Sequence, residues 1–146
     1  MKRITPNNNL SQEFEDFARH LLFECQISIG DNKYRICEIE FYYSHPLHPD
    51  PFTHGNDIQR QNGTWYVHRN GKKASNNPNC GQRRGIDLTI GDGNSCGGIL
   101  FRAIQPLAGG PMIEGPIKVV QHMAQALHLN INDLRELDSA ICDREV

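Results

Sequence analysis

The sequence has no long hydrophobic run, and this absence argues against a membrane-spanning helix. No apolar stretch among the 146 residues approaches the roughly 18 residues that a span needs. The basic start MKRITPNNNL is not followed by an apolar segment, so we expect no secretory signal. The five cysteines are an odd number and form no CxxC pair, which is typical of reduced thiols. We therefore expect a soluble, cytoplasmic protein.

The sequence also lacks a strong net charge of either sign. A net charge of −2 argues against a protein that binds nucleic acid over its whole surface. The charge is unevenly distributed, however, because residues 58–86 contain six basic residues and no Asp or Glu. Clustered Lys and Arg are the side chains that contact phosphate, although a solvated loop is the alternative interpretation. The candidate phosphate-binding residues are Arg60, Arg69, Lys72, Lys73, Arg83 and Arg84.

Hydrophobic periodicity predicts a helix, then a series of strands. Apolar residues recur at three- and four-residue steps from Phe14 to Cys25, which predicts an amphipathic helix. The turn residues Gly30, Asp31 and Asn32 then separate QISI from YRICEIEFYY, as in a β-hairpin. Three further strands are predicted between turn-rich segments: TWYVHR (64–69), GIDLTIG (85–91) and GGILFRAIQ (97–105).

The C-terminal part of the sequence predicts helices. Pro116 after Gly115 is typical of a first helical position, and a second short helix is expected over residues 133–141. This order of elements predicts an α+β fold. We expect one domain over residues 1–146, with a curved, mostly antiparallel sheet and the N-terminal and C-terminal helices packed on it. The predicted buried stripe of the first C-terminal helix is Ile117, Val120, Met123, Ala124 and Leu127.

The segment EIEFYYSHPLHPDPFTH, residues 38–54, concentrates polar side chains at the end of a predicted strand. Its loop contains four side chains with metal-ligand atoms, so a metal-dependent hydrolase is one interpretation. Against it, three prolines extend this loop and the spacing matches no zinc motif. We therefore predict no metal site here. The four side chains are His45, His48, Asp50 and His54.

A second interpretation of the same segment is a catalytic carboxylate beside aromatic rings. Strand alternation places Glu40 and Tyr42 on one face, and Tyr66 and His68 share a face of another strand. A positioned Glu that activates water next to flat side chains suits hydrolysis of an N-glycosidic bond. Burial beside the rings would raise the pKa of the carboxylate towards useful basicity. Alternatively, the rings are only the half-buried face of a sheet.

Arg102 lies in ILFRAI, a strand whose other residues are apolar. An unpaired charge in a core is costly, so a buried Arg must be paired or must contact a ligand. A salt bridge to Asp87 in the GIDLTI strand and a contact with a ligand are the two alternatives.

Four segments of the chain follow one another in the order of a known family. EIEFYY with DPFTH is similar to the pattern E-x-E-A-Y followed by D-x-x-x-H, and GTWYVHRNG is similar to G-x-x-Y-V-Y. GGILFRAIQPLAG is similar to L-L-R-A-x-x-P-L-x-G, and EGPIKVVQHMAQALHLNINDL to a G-P-x-K-x-x-Q helix followed by D-L. Over residues 36–137 the chain thus resembles the alkyladenine (3-methyladenine) DNA glycosylase family.

This resemblance implies a monofunctional N-glycosylase in which water removes a damaged or modified, alkylated purine from DNA. It implies Glu40 as the water-activating base and Arg102 as the residue that orients the nucleophile or the DNA backbone. No metal or organic cofactor is implied. The partner would be DNA, single- or double-stranded, or a nucleotide, and we expect a monomer. The implied substrate-binding residues are Tyr42, His54, Tyr66, His68 and Asp87.

Two positions depart from the family pattern. His68 replaces a stacking tyrosine, and Gly71 stands where the family has an aromatic wedge. Flipping a base out of a duplex costs unstacking energy, and a wedge holds the vacated space. A module that binds a nucleotide or modified base without cleaving it is therefore the alternative function.

Overall fold

The fold is the α+β arrangement that the sequence predicts, with helices packed on a curled antiparallel sheet. A computed structural model describes residue 4 and residues 9–69 and 83–129. At residues 68, 69, 83 and 84 the description is limited to the backbone. Gly71, Lys72, Lys73 and the helix predicted over 133–141 lie outside the described residues.

Among the described residues, six strands form one sheet. Five follow one another in the order β1-β2-β5-β4-β3, and the short β6 pairs with β5 along the edge that does not face β2. Every pairing is antiparallel. The chain runs through α1 (Leu10–Glu24), β1 (Gln26–Ile29), β2 (Asn32–Ser44), a 3₁₀ helix (Asp57–Arg60), β3 (Asn62–Arg69), β4 (Arg83–Ile90), β5 (Cys96–Pro106), β6 (Ile113–Glu114) and α2 (Pro116–Ala126).

Helix α1 covers the apolar face of β2. Phe17 and Leu21, four residues apart and therefore on one side of the helix, are buried. The Phe14 ring lies 4.9 Å from that of Phe41 and 5.8 Å from that of Tyr43. Because side chains alternate along a strand, Glu40 and Tyr42, which alternate with Phe41 and Tyr43, face away from α1.

A local irregularity in the pairing of β2 with β5 keeps apolar residues on the core face. Ile36 is opposite Ile104, Glu38 is opposite Ala103 and Ile39 is opposite Phe101, with shifts in register between these pairs. Because side chains alternate, each one-residue shift changes the face on which the following residues lie. Arg102 is the extra residue of β5 at this point.

The prediction of a buried Arg102 is wrong. Its side chain is 39% exposed, whereas Phe101 and Ala103 on either side are buried. Arg102 is two residues from Leu100, so it lies on the face of the sheet that carries Glu40 and away from the core.

Helix α2 begins at Pro116 as predicted, after Gly115 with φ 103°. The Gly115 amide donates to the Arg102 carbonyl at 2.7 Å, which fixes the helix start against β5. The buried face differs from the predicted stripe: Ile117 is 39% exposed, Leu127 is only partly buried, and Val119 is buried although it was not predicted to be. The buried residues are Val119, Val120, Met123 and Ala124.

The 3₁₀ helix packs closely on the end of β4. A Cβ at Gly91 would lie 2.2 Å from the Gln59 carbonyl oxygen, so no other residue fits there without movement of backbone. Gln59 is 2% exposed, and the Gly93 amide donates to the Arg60 carbonyl at 2.9 Å. The segment between β2 and β3 is thereby attached to the sheet.

Candidate functional site

The sheet face opposite α1 carries a row of residues from four neighbouring strands. Glu40 is opposite Leu100, Leu100 is opposite Asp87, and Asp87 is opposite Tyr66. Directly opposed residues in antiparallel strands point to the same face. With strands about 4.8 Å apart, the backbones of Glu40 and Tyr66 lie about 14 Å apart across this face. The sequence could predict the members of this row, but not their alignment.

Glu40 is held by two donors on this face. The Tyr42 hydroxyl donates to its Oε1 at 2.7 Å, and Arg102 Nη1 donates to its Oε2 at 2.5 Å. The side chains of Glu40 and Arg102 are each 39% exposed. A carboxylate offers about four lone-pair sites, so each oxygen can still accept a hydrogen bond from water. The carboxylate is therefore oriented and reachable from solvent.

Arg102 is shared between two carboxylates. Besides its bond to Glu40, its Nε donates to Glu38 Oε1 at 3.0 Å. Of the two alternatives left open for Arg102, the structure shows salt bridges, and these are with Glu38 and Glu40 instead of the suggested Asp87. Sequence reasoning missed the role of Glu38, although its position two residues before Glu40 in EIEFYY is the signal for it.

Tyr42 bonds to the Glu40 carboxylate and is near enough to Asp87 to interact with its charge. Burial raises the pKa of the Tyr42 phenol well above its usual value, and the hydrogen bond to Glu40 and the nearby charges of Glu40 and Asp87 raise it further. Tyr42 therefore stays protonated under all physiological conditions. Its hydroxyl remains a hydrogen-bond donor to Glu40.

Gly98 allows Asp87 to approach this cluster. Tyr42 is opposite Gly98 in the sheet, and a Cβ at Gly98 would lie 2.9 Å from Asp87 Cβ and 3.0 Å from Asp87 Oδ2. Asp87 is itself 1% exposed. The sequence signal for this contact is a glycine inside a strand, which often marks a close approach. Sequence reasoning missed it.

His54 joins the row from the loop that follows β2. Its Nδ1 lies 3.4 Å from the Tyr66 hydroxyl, and the two rings meet edge to face with centroids 6.4 Å apart. Tyr66 is 8% exposed. The structure thus brings His54 and Tyr66 together at one end of the row, and Glu40, Tyr42 and Arg102 at the other, with Asp87 between them.

The described members of the candidate phosphate-binding set lie in the 3₁₀ helix and at the paired ends of β3 and β4. Arg60 is in the 3₁₀ helix, with Nε 3.8 Å from Asp57 Oδ1 and a side chain that is 45% exposed. In the ladder between β3 and β4, Arg69 is opposite Arg83, and His68 is opposite Gly85. The side chains of His68, Arg69, Arg83 and Arg84 lie outside the described part of the chain, so their predicted contacts stay predictions.

Asp50 stabilises its own loop. Its Oδ2 accepts from the Tyr43 amide at 3.2 Å and from the Thr53 hydroxyl at 2.7 Å. Its Oδ1 accepts from the Phe52 amide at 2.8 Å. Both oxygens are engaged within residues 43–53, which argues against Asp50 as a ligand in the alternative metal interpretation. Among residues 4, 9–69 and 83–129, no cluster of three or more His, Cys, Asp or Glu side chains could hold a metal ion.

The hydrogen bonds to Asp50 predict a pH-dependent stability. Burial alone would raise the pKa of Asp50, but bonds from Thr53 and from the backbone of Phe52 and Tyr43 outweigh it and hold the pKa below its usual value. The contribution of these bonds to folding stability is fully present above the pKa of Asp50 in the unfolded chain, about 3.9. It is lost as the pH falls through the lower pKa that Asp50 has in the folded protein. We expect Asp50→Asn to lower the free energy of unfolding at pH 7 by about 1–3 kcal/mol.

Urea unfolding of wild type and variant between pH 7 and pH 2.5 measures this effect. The difference between the two proteins should shrink below about pH 3.9. Asp57→Asn is the control, because the Asp57 side chain is fully exposed and its contact with Arg60 spans 3.8 Å. A difference that stays constant over the whole pH range would contradict the assignment.

The chain is distantly similar to a viral protein. No protein-family model matches the chain. No solved structure matches it either. The chain is 30% identical over 125 residues to "Uncharacterized protein L759" of Acanthamoeba polyphaga mimivirus, an alignment that covers 77% of this chain and 56% of the viral protein. The chain thus spans about half the length of this relative.

Within the parts of the chain that the structure describes, neither helix is long and apolar enough to cross a membrane.

Proposed function

We propose that this protein hydrolyses the N-glycosidic bond of a damaged or modified purine in DNA, with Glu40 as the general base. The observation that supports this most is the pair of bonds that Tyr42 and Arg102 make to the Glu40 carboxylate. They orient a solvent-accessible carboxylate on the face that also carries Asp87 and Tyr66. Such an arrangement suits a base that must take a proton from a positioned water molecule.

In the proposed reaction, Glu40 accepts a proton from water while the water oxygen bonds to the sugar C1′. The bond between C1′ and the purine nitrogen breaks, and its electron pair leaves with the purine. A purine alkylated on a ring nitrogen is positively charged, so it departs as a neutral molecule and needs no further acid. Arg102 holds Glu40 and is close enough to help orient the water or a backbone phosphate.

For the other residues, we propose the roles that the sequence resemblance implies. Tyr42, His54, Tyr66, His68 and Asp87 bind the base, and the basic residues from Arg60 to Arg84 contact phosphate. Water is the only co-reactant, and no metal or organic cofactor takes part. The protein acts in the cytoplasm as a monomer.

A non-catalytic binding module is the second candidate function, and one observation favours it. Both oxygens of Glu40 already accept a hydrogen bond, and one of these bonds is an ion pair with Arg102. A carboxylate in this setting can serve to fix the position of Tyr42 and Arg102 for recognition of a base. Thermal shifts with nucleosides and nucleotides that persist in Glu40→Gln, without release of base, would support this function.

Measuring the release of free base from alkylated DNA tests the proposal. Single-stranded and duplex DNA treated with a methylating agent is incubated with the purified protein, and released purines are separated by chromatography. We expect 3-methyladenine or 7-methylguanine to accumulate with time and in proportion to protein. The absence of any released base from both DNA forms would reject the enzymatic proposal.

A further inference from the structure

Glu38 is a third charged residue beside Glu40 and Arg102, and the proposed reaction does not use it. It lies on β2 two residues before Glu40, and its Oε1 accepts a hydrogen bond from Arg102 Nε at 3.0 Å. The Glu38 side chain is 56% exposed. A surface ion pair of this kind adds little to folding stability. A larger effect of Glu38 would have to come from the geometry that it imposes on the site.

The backbone of Arg102 is fixed, whereas its side chain is restrained by the two glutamates. The Arg102 carbonyl accepts a hydrogen bond from the Gly115 amide at 2.7 Å. Within the described part of the chain, the guanidinium bonds to Glu38 and Glu40 alone. A long Arg side chain has many rotamers, so each of these bonds removes freedom that the other leaves.

The two bonds use different nitrogens of one planar group. Because the guanidinium is rigid, a bond from Nε to Glu38 fixes the rotation of the whole plane. Nη1 then points in one direction, towards Glu40 Oε2. Without the bond to Glu38, the guanidinium could turn and bond to both oxygens of Glu40, as Arg and carboxylate pairs often do. Arg102 would then compete with Tyr42 and with water for Oε1.

The shift in register between β2 and β5 makes this arrangement possible. Glu38 is opposite Ala103 and Glu40 is opposite Leu100, so a step of two residues on β2 spans three residues on β5. Arg102 therefore lies along β5 between the partners of the two glutamates and reaches both. Bulges of this kind often redirect a side chain next to a functional site.

We propose that Glu38 is a positioning residue of this site. It holds Arg102 so that Nη1 bonds to one oxygen of Glu40, and the other oxygen stays available to Tyr42 and water. The consequence for catalysis rests on the proposed function, because it takes Glu40 as the base that activates water. A small misplacement of a catalytic group lowers the rate many-fold, so loss of Glu38 should slow the reaction through Arg102.

NMR of the ¹⁵N-labelled Arg102 Nε–H group tests the positioning without reference to activity. Its signal is identified by its absence from Arg102→Lys, and its rate of exchange with water is measured at neutral pH. We expect Glu38→Ala to raise this rate at least about fivefold, because the hydrogen bond protects the proton. Glu15→Ala, which removes the exposed partner of Arg19 on α1, should leave it unchanged. Equal exchange in the wild type and Glu38→Ala would overturn the proposal.

Single-turnover base release from alkylated DNA measures the effect on the reaction. We expect Glu38→Ala to lower the rate about tenfold with little change in the affinity for DNA, since a misdirected guanidinium disturbs the orientation of Glu40. Glu38→Gln keeps an oxygen that accepts from Arg102 Nε, so its rate should lie within about threefold of the wild type. Glu15→Ala should release base at the wild-type rate.

A double-mutant cycle shows whether Glu38 acts through Arg102. In an Arg102→Ala background, Glu38→Ala should have no further effect on the rate. A loss of similar size that persists without Arg102 would overturn the positioning role.

The outcomes separate this inference from the proposed function. Base release by the wild type and by Glu38→Ala at equal rates would leave the proposed function intact and reject the role of Glu38. If no protein releases base, the wild type included, the proposed function is rejected. Exchange of the Arg102 Nε–H proton then decides by itself whether Glu38 positions Arg102.

Discussion

Replacement of Glu40 by Gln is expected to reduce base release from alkylated DNA by about 10²- to 10⁴-fold, the usual contribution of a general base. The amide has the shape of the carboxylate but cannot accept the proton of the attacking water. Its oxygen can still accept a bond from Arg102 or Tyr42, so the sheet should keep its structure. The ion pair that is lost is more than one-third exposed and contributes little to stability.

Single-turnover rates of base release and DNA affinities, measured on the same preparations, check this expectation. Glu15→Gln is a matched control, because Glu15 also forms an ion pair with an Arg, at 3.2 Å to Arg19, but lies on the exposed side of α1. We expect this variant to release base at the wild-type rate. Equal rates for wild type and Glu40→Gln would remove Glu40 from the mechanism.

Gly91→Ala is expected to give the largest loss of stability, at about 3 kcal/mol, the upper range for overpacking. The added Cβ would lie 2.2 Å from the Gln59 carbonyl oxygen and 2.6 Å from two backbone atoms of Arg60. These atoms cannot yield as a side chain can, because Asn56 caps their helix and Gly93 bonds to Arg60. For a chain of this size the midpoint of thermal unfolding should fall by roughly 6–12 °C.

Calorimetry measures the midpoint, and hydrogen exchange locates the damage. The amide of Gly93 should exchange faster in Gly91→Ala, since its acceptor on Arg60 is displaced. Gly63→Ala is the control: no atom lies within 4 Å of its added Cβ, and its φ of 79° costs about 1–2 kcal/mol through backbone strain alone. If the midpoint of thermal unfolding of Gly91→Ala is no lower than that of Gly63→Ala, Gly91 does not pack closely against Gln59 and Arg60.

The elements that local sequence specifies could be predicted well. Helix α1 follows from the apolar spacing around Phe14 and Phe17, the hairpin from Gly30 and Asp31, and the start of α2 from Pro116. Arg102 was predicted to be buried because the other residues of ILFRAI are apolar, but it contacts Glu38 and Glu40 on the opposite face of the sheet from the core. The shift in register was not predicted, because it depends on the pairing of β2 with β5 and no local pattern encodes it.

The site was predictable where its residues share one strand. Glu40 and Tyr42 are two residues apart, so alternation alone places them on one face. The approach of Asp87 over Gly98 joins two strands and depends on a missing side chain, which periodicity does not reveal. The role of Asp50 could not be predicted for a different reason. A carboxylate can coordinate a metal or accept hydrogen bonds within its own loop, and its neighbours in space decide between these roles.

The sharing of Arg102 between Glu38 and Glu40 sets one guanidinium against two carboxyl groups, so this trio has one more acidic than basic group. Under the proposed function, this excess would favour heterocycles with a delocalised positive charge over neutral ones of the same shape. Since the trio is only partly shielded from solvent, ions in the medium will weaken this discrimination. Preference between charged and neutral heterocycles should therefore be sharpest in dilute buffer.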